Sequence, residues 1–327
     1  MLTRLAPAWL MALLLVLPLA AAPATYPCYQ PTAAPVIDGN VESDPAWTNI
    51  PRVTGFAKLG GGYAVAKQTV VQACWDDQAL YVAMVCEDPD AAQLKPTVRD
   101  GGPFWEEDGA EIFVQPDADK PVSQLGVTAG GAKGGFEGFP DFTKLHVGAS
   151  IGKDAYSLEA RIPFDVLRAT PQVGDRWRGN FCRNTYTTAS GGDKFTCWAP
   201  LKTRFLEPEN YAVLSFRGPA PEAATATRIG EQLNGAYRKH LLGRLVSAVA
   251  QGKEYFGALD EASRDQQFGA DAAALRARWR EMEALIRQAG SAPLPELRRT
   301  IVGADALAKA SYDVKYAYLI AKLFPDQ

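Results

Sequence analysis

The apolar residues change period at Arg217-Gly218-Pro219-Ala220-Pro221, and that switch limits what the chain can fold into. Ahead of it, short apolar runs are separated by Gly, Pro, Asn and Asp. Segments 70–75 and 80–85 flank Asp76-Asp77-Gln78-Ala79 and read as two strands joined by a tight turn. Further strands are expected at 110–115, 124–128, 145–151, 155–162, 176–186, 194–198 and 212–216, with the Gly-rich 128–142 stretch as a long surface loop. Behind the switch, Ile229, Leu233, Tyr237, Leu241, Leu245 and Val249 recur at i+4. Two more stripes follow, Phe268 to Ile286 and, after Pro293 and Pro295, Leu297 to Tyr318. The expectation is a mainly β chain, an antiparallel β-sandwich over 25–218, with a helical region of about three helices over 219–327.

The first 24 residues belong to neither part. Arg4 precedes a run from Leu5 to Leu19 that is almost wholly apolar, and Ala20-Ala21-Ala22-Pro23-Ala24 follows. A charged start, a short apolar core and a small-residue end describe a secretory signal peptide rather than a membrane span. The mature protein is therefore expected to be exported, periplasmic or extracellular, with no membrane insertion after cleavage. Export permits disulfides. Cys182 and Cys197 lie about equally far from the Ser190–Asp193 turn, so a cross-strand bridge is reasonable; the pairing of Cys28, Cys74 and Cys86 is not legible. Only two histidines occur and there is no C-x-x-C, which argues against a zinc site. The net charge of −3 gives no pull on nucleic acid.

One segment concentrates chemistry: Phe104-Trp105-Glu106-Glu107-Asp108-Gly109-Ala110-Glu111-Ile112-Phe113. An indole face suits the C–H surface of a pyranose, and a carboxylate accepts hydroxyl donors. On composition alone, a packed Trp beside a solvated acidic loop explains the segment more simply. A second group, Arg183 and Asn184 with Trp198, lies on the two arms around the Ser190–Asp193 turn. There an Arg fork and a stacking Trp compete with a structural ion pair and a core indole.

Val36-Ile37-Asp38-Gly39-Asn40-Val41-Glu42-Ser43-Asp44-Pro45-Ala46-Trp47 resembles the opening motif of the family 9 carbohydrate-binding modules. Leu80-Tyr81-Val82-Ala83 with Glu87-Asp88, the Asp108–Phe113 segment, Tyr156–Phe164 and Gly174–Arg183 continue the likeness in order. The resemblance covers roughly 35–216. It implies a DOMON-like β-sandwich that binds carbohydrate and does not cleave it. By motif position it makes Trp105 and Trp198 the two walls about a terminal sugar, Glu111 the acceptor and Arg183 the donor, with Asn184 beside them. Trp47, Glu159 and Trp177 fall at fold-forming positions. Such modules can hold structural calcium, for which Asp38, Glu42 and Asp44 are candidate ligands; a turn and helix-cap role accounts for them equally well.

Other functions fit less well. Glycoside hydrolysis needs two carboxylates at a set separation across a cleft, and adjacent carboxylates on a loop are more often solvated. Non-covalent haem binding, known in DOMON-like sandwiches, would use Met84 and His146 as axial ligands. An interaction or assembly role would use the helical tail to dock a protein partner, and apolar residues exposed on more than one face of that tail would favour it; the stripes read as one-sided, which suits packing on one another or on the sandwich.

Overall fold

The computed structural model describes residues 23–64, 66–136 and 141–324. The signal peptide expected over 1–24 therefore lies outside the described residues up to position 22. Strands β1 (Thr25–Gln30), β2 (Ala57–Lys58), β3 (Thr69–Trp75) and β4 (Ala79–Glu87) come first. They are followed by β5 (Gly109–Gln115), β6 (Ser123–Thr128), β7 (Lys133–Gly135), β8 (His146–Ile151) and β9 (Ala155–Pro163). After the single turn α1 (Phe164–Leu167) come β10 (Arg176–Asn184), β11 (Phe195–Cys197) and β12 (Ala212–Pro219).

The strands run β7-β6-β5-β10-β12-β1-β3-β4-β9-β8, with β11 and β2 added beside β10. The sheet is mixed, not the antiparallel sandwich expected from the sequence. β1 pairs in parallel with both β12 and β3, which joins the two layers into one mixed, nearly closed, barrel-like sheet. A register shift between Cys28 and Gln30 lets β1 leave one layer and enter the other. Six residues that include a proline gave no clear alternation, so the strand was not foreseen. The expected 128–142 loop is also partly sheet, since β7 pairs with the end of β6.

Alternation along the strands makes the core. Inward residues such as Val71, Val82, Met84, Ile112, Leu158, Phe181 and Leu214 pack between the layers. The outer side of β3 and β4 carries Cys74 and Tyr81, which are covered by Trp47, Ile37 and Val41. That cover hangs on Glu159 of β9, which accepts from Trp47 Nε1 at 2.8 Å and from Gly39 N at 2.7 Å. Gly39 is obligatory: its backbone is left-handed, and a Cβ there would stand 2.5 Å from the Ala149 carbonyl carbon. The structural role read for Trp47 and Glu159 thus has a geometric cause.

The helices are α2 (Ala223–Leu233), α3 (Gly235–Lys253), α4 (Phe256–Ala262), α5 (Gly269–Gln288) and α6 (Leu294–Leu323). The first expected helix is split at Asn234. Its side chain accepts from Thr54 N at 2.9 Å and donates to the Arg52 carbonyl at 3.1 Å, docking the helix joint on the β layer. Tyr237, Leu241, Leu245, Trp279, Leu297 and Ile301 form a separate core between α3, α5 and α6. Trp279 is centred there, its Nε1 donating to Ser311 and its ring lying where a side chain at Gly252 would be. Among the described residues no helix is long and apolar enough to cross a membrane.

Candidate functional site

The outer face of β5, β6 and β10 is built by register. Glu111 lies opposite Cys182 on β10 and Gly126 on β6. Asn184 lies two residues after Cys182 and Gln124 two before Gly126, so both share its face. Glu111 is buried and accepts from Asn184 Nδ2 at 2.7 Å and from Gln124 Nε2 at 2.6 Å. Burial pushes its carboxyl pKa up, while these two amide donors pull it down. No Lys, Arg or His forms an ion pair with it among the described residues. The Asn184 carbonyl oxygen is buried without a hydrogen-bond partner.

Trp105 stands beside this floor for a steric reason. In the turn Phe104–Glu106, Phe104 sets its ring over Gly126 and Gly134, where a Cβ would come within 1.8 and 2.3 Å of ring carbons. This seats the turn on the outer face and leaves Trp105 37% exposed, edge-on to Phe104 and Phe136. Tyr186, also 37% exposed, donates its hydroxyl to the Trp105 carbonyl at 2.7 Å. Lys194 lies over the Tyr186 ring, 4.1 Å from its centroid. The segment carrying Tyr186 is tied down twice. Asp108 accepts from Tyr186 N, Thr187 N and Thr187 Oγ1, and Asp90 accepts from Ser190 N and Oγ. A cleft of about 400 Å³ opens beside Tyr186, bounded by Leu94, Pro96 and Glu106. Glu107, on its wall, gives one oxygen to Thr97 and Val98 and leaves the other unpartnered.

The five residues singled out in the sequence do not converge. Glu111 and Asn184 are bonded to each other, and Trp105 belongs to the turn above them. Arg183 and Trp198 are on the opposite, inward face. Arg183 is fully buried, ion-paired to Asp88 at 2.7 Å, and donates to the carbonyls of Lys67 and Glu87. Trp198 packs in the core against Tyr26 and Phe181. The cause is the period of two: Arg183 is one residue from Asn184, and Trp198 one from Cys197, so each pair straddles the sheet. Tyr186 and Gln124 were missed; Tyr186 was legible as the aromatic two residues beyond Asn184, whereas Gln124 carried no signal.

The remaining expectations can be placed. Cys182 and Cys197 face each other across β10 and β11 as expected, but both are free, buried thiols, as are Cys28, Cys74 and Cys86. Asp38 accepts from Asn40 N, Asp44 from Val36 N and Ala46 N, and Glu42 pairs with Arg52. Each carboxylate is thus committed to a turn, a cap or an ion pair. Among the described residues no group of three or more His, Cys, Asp or Glu is arranged to hold a metal ion. Met84 is in the core, opposite Leu158, while His146 is exposed opposite Arg161, three residues along β9 and hence on its other face. The two cannot ligate one haem. A hollow of about 380 Å³ between the β layer and the helices is lined by Arg52, Arg238 and Arg298. All three are committed: Arg52 to Glu42, Arg298 to Glu87, and Arg238 to the carbonyls of Gly290 and Ala292.

The mixed, barrel-like β layer thus carries partly exposed aromatics beside an amide-held carboxylate on one outer face. Residues 37–216 match the family described as Carbohydrate family 9 binding domain-like, and the chain belongs to that family. Among solved structures it is similar to a carbohydrate binding module family 9 from Caldicellulosiruptor kristjanssonii in complex with cellotriose. There the identity is 19% and the TM-score 0.46, covering 61% of this chain and 96% of that one. The glucose complex of a family 9 module from the same organism gives 19% identity and a TM-score of 0.46, over 59% and 97% of the two chains. No curated protein matches the chain.

Proposed function

We propose that this is a non-catalytic carbohydrate-binding protein, exported to the periplasm or beyond the cell, that takes a sugar on the outer face of β5, β6 and β10. Trp105 and Tyr186 supply the apolar walls. Gln124, Asn184 and the remaining lone pairs of Glu111 meet the hydroxyls, and Lys194 flanks them. Family membership supports carbohydrate as the ligand class. The observation that carries the site is Glu111: an unneutralised carboxylate held by two amides below half-exposed aromatics. A buried charge without a counter-ion costs stability, and such a cost is kept where a ligand uses the group. Export rests on the 1–24 segment, and strand β1 begins at Thr25, directly after the expected cleavage. The helical part, 219–327, carries none of these groups.

The test is a titration of the mature protein with a panel of mono-, oligo- and polysaccharides, followed by tryptophan fluorescence. Saturable change is expected with at least one sugar. Trp105→Ala and Tyr186→Ala should each weaken binding by about 1 to 3 kcal/mol with folding intact, as lost aromatic anchors do. Full affinity in both folded variants would sink the site, and no response to any glycan would sink the reading.

A further inference from the structure

The carboxylates around Tyr186 exceed what the chain neutralises. Glu106, Glu107, Asp108 and Glu111 come from one turn and the strand it feeds. Among the described residues none of them is paired with a Lys, Arg or His. Asp108 is met by the uncharged N–H and O–H donors of Tyr186 and Thr187, and Glu106 is exposed. Burial raises the Tyr186 hydroxyl pKa, and the charges of Glu106, Glu111 and Asp108 add to the rise, so all three act on that oxygen. Glu107 lines the adjoining cleft together with Tyr186. Against these charges stand Lys194, over the Tyr186 ring, and Lys95, at the cleft. The balance is negative.

Hydrogen bonding has the same bias. Asn184, 1% exposed, turns Nδ2 to Glu111 and leaves its carbonyl oxygen without a donor. Gln124 Nε2 is turned to Glu111 as well, and one oxygen of Glu107 is buried without a donor. Tyr186 spends its hydroxyl proton on the Trp105 carbonyl, so toward a ligand its oxygen can only accept. A sugar hydroxyl both donates and accepts, whereas an ammonium only donates and brings positive charge. We infer, on the carbohydrate reading above, that the sugar taken beside Tyr186 carries a free, protonated amine: a 2-amino-2-deoxy hexose or a polymer of it. The aromatic wall suits that group, since the Tyr186 face already holds the Lys194 ammonium 4.1 Å from its centroid. N-acetylation would remove the charge and add a carbonyl acceptor where acceptors already lack donors. A uronic acid would bring another carboxylate into a negative site, which is the basis for rejecting it.

The test titrates the full mature chain with matched sugars: glucose against glucosamine and galactose against galactosamine, then the N-acetyl amines and the two uronates. In at least one pair the amine should bind about tenfold more tightly than the neutral sugar, as charge-assisted hydrogen bonds do. N-acetylation should abolish the gain, and the uronate should bind weakest. The gain should shrink as salt is raised, because screening shortens the reach of the charges. Glu106→Gln, at an exposed position, and Glu111→Gln, which keeps the shape of the side chain, should each lower the ratio of amine to neutral affinity. A neutral sugar bound as tightly as its amine overturns the inference, and so does an amine preference that neither glutamine variant lowers. A uronate or an N-acetyl sugar bound best overturns it too. All three outcomes leave the carbohydrate reading in place. Binding of no sugar, charged or neutral, ends that reading and the inference with it.

Discussion

Arg183 and Asn184 are neighbours on one strand and meet opposite fates. Arg183 points inward, into a neutral set of charges: it pairs with Asp88, and Lys67 pairs with both Asp88 and Asp90 at 2.9 and 2.7 Å. Asn184 points outward to Glu111, which has amide donors but no cation, and its own carbonyl has no partner. Both groups are buried, Glu111 and Asn184 at 2% and 1% exposure, and the inner one leaves only Arg183 Nε unmatched. The outer group is incomplete beside exposed aromatics. Polar residues that neutralise one another hold a fold together, and polar residues left short of partners are available to something else.

The sharpest way to break the comparison is on the inner side. Arg183→Met removes one cation and leaves Asp88 buried with Lys67 alone, which must also serve Asp90. Breaking a buried pair from one side costs about 3 to 5 kcal/mol, so urea unfolding should show a loss of that order. Sugar affinity in whatever fraction stays folded should not change. An Arg183→Met protein of normal stability that had lost sugar binding would reverse the roles given to the two faces.

A gentler probe sits on the outer side. Because burial raises the Glu111 pKa, this group favours the folded state fully only below its ordinary value near 4.5. That contribution fades as pH rises through the raised folded value, so at pH 7 its charge is a cost. Glu111→Gln removes the charge but keeps the shape. Thermal stability at pH 7 should hold or rise, while sugar affinity falls by about 1.5 to 3 kcal/mol, the worth of hydrogen bonds to a charged group. Lower stability with unchanged affinity would make Glu111 a structural residue like Arg183.

Much of the fold was legible in the sequence, and the site much less so. The strands from Thr69 to Phe216 and the tyrosine and tryptophan stripes of α3 and α5 follow from periodicity, because burial of one face forces it. β1 escaped notice because Thr25–Gln30 is short and works through parallel pairing, which leaves no turn signal at its ends. The helix break at Asn234 is set by a contact with Thr54 and Arg52, distant in sequence. At the site, residue types were readable but faces were not. An aromatic or arginine at a motif position gives no sign of which way its strand is turned, and one residue of phase separates Arg183 from the outer surface.

The smallest effect concerns the segment that carries Tyr186. Asp90 holds it through Ser190 N and Oγ, at 2.9 and 2.7 Å, and Lys67 joins Asp90 to the Thr187 carbonyl. These bonds lower the Asp90 pKa from 3.8 to about 2. A lowered carboxylate contributes in full above its unfolded value, and that contribution is lost as pH falls through the folded one. Between pH 3.8 and about 2 the Ser190 tether should therefore release. The Ser190 end of the segment should then loosen, while Asp108 still holds Tyr186 N and Thr187. Hydrogen exchange across 188–192 should quicken in that window while 186–187, β5 and β10 stay protected. Asp90→Asn should bring the faster exchange up to neutral pH, with only a modest fall in sugar affinity. If instead β10 exchanged together with the segment, the outer wall and the inner charges would be one cooperative unit, and the separation drawn between the two faces of the strand would not hold.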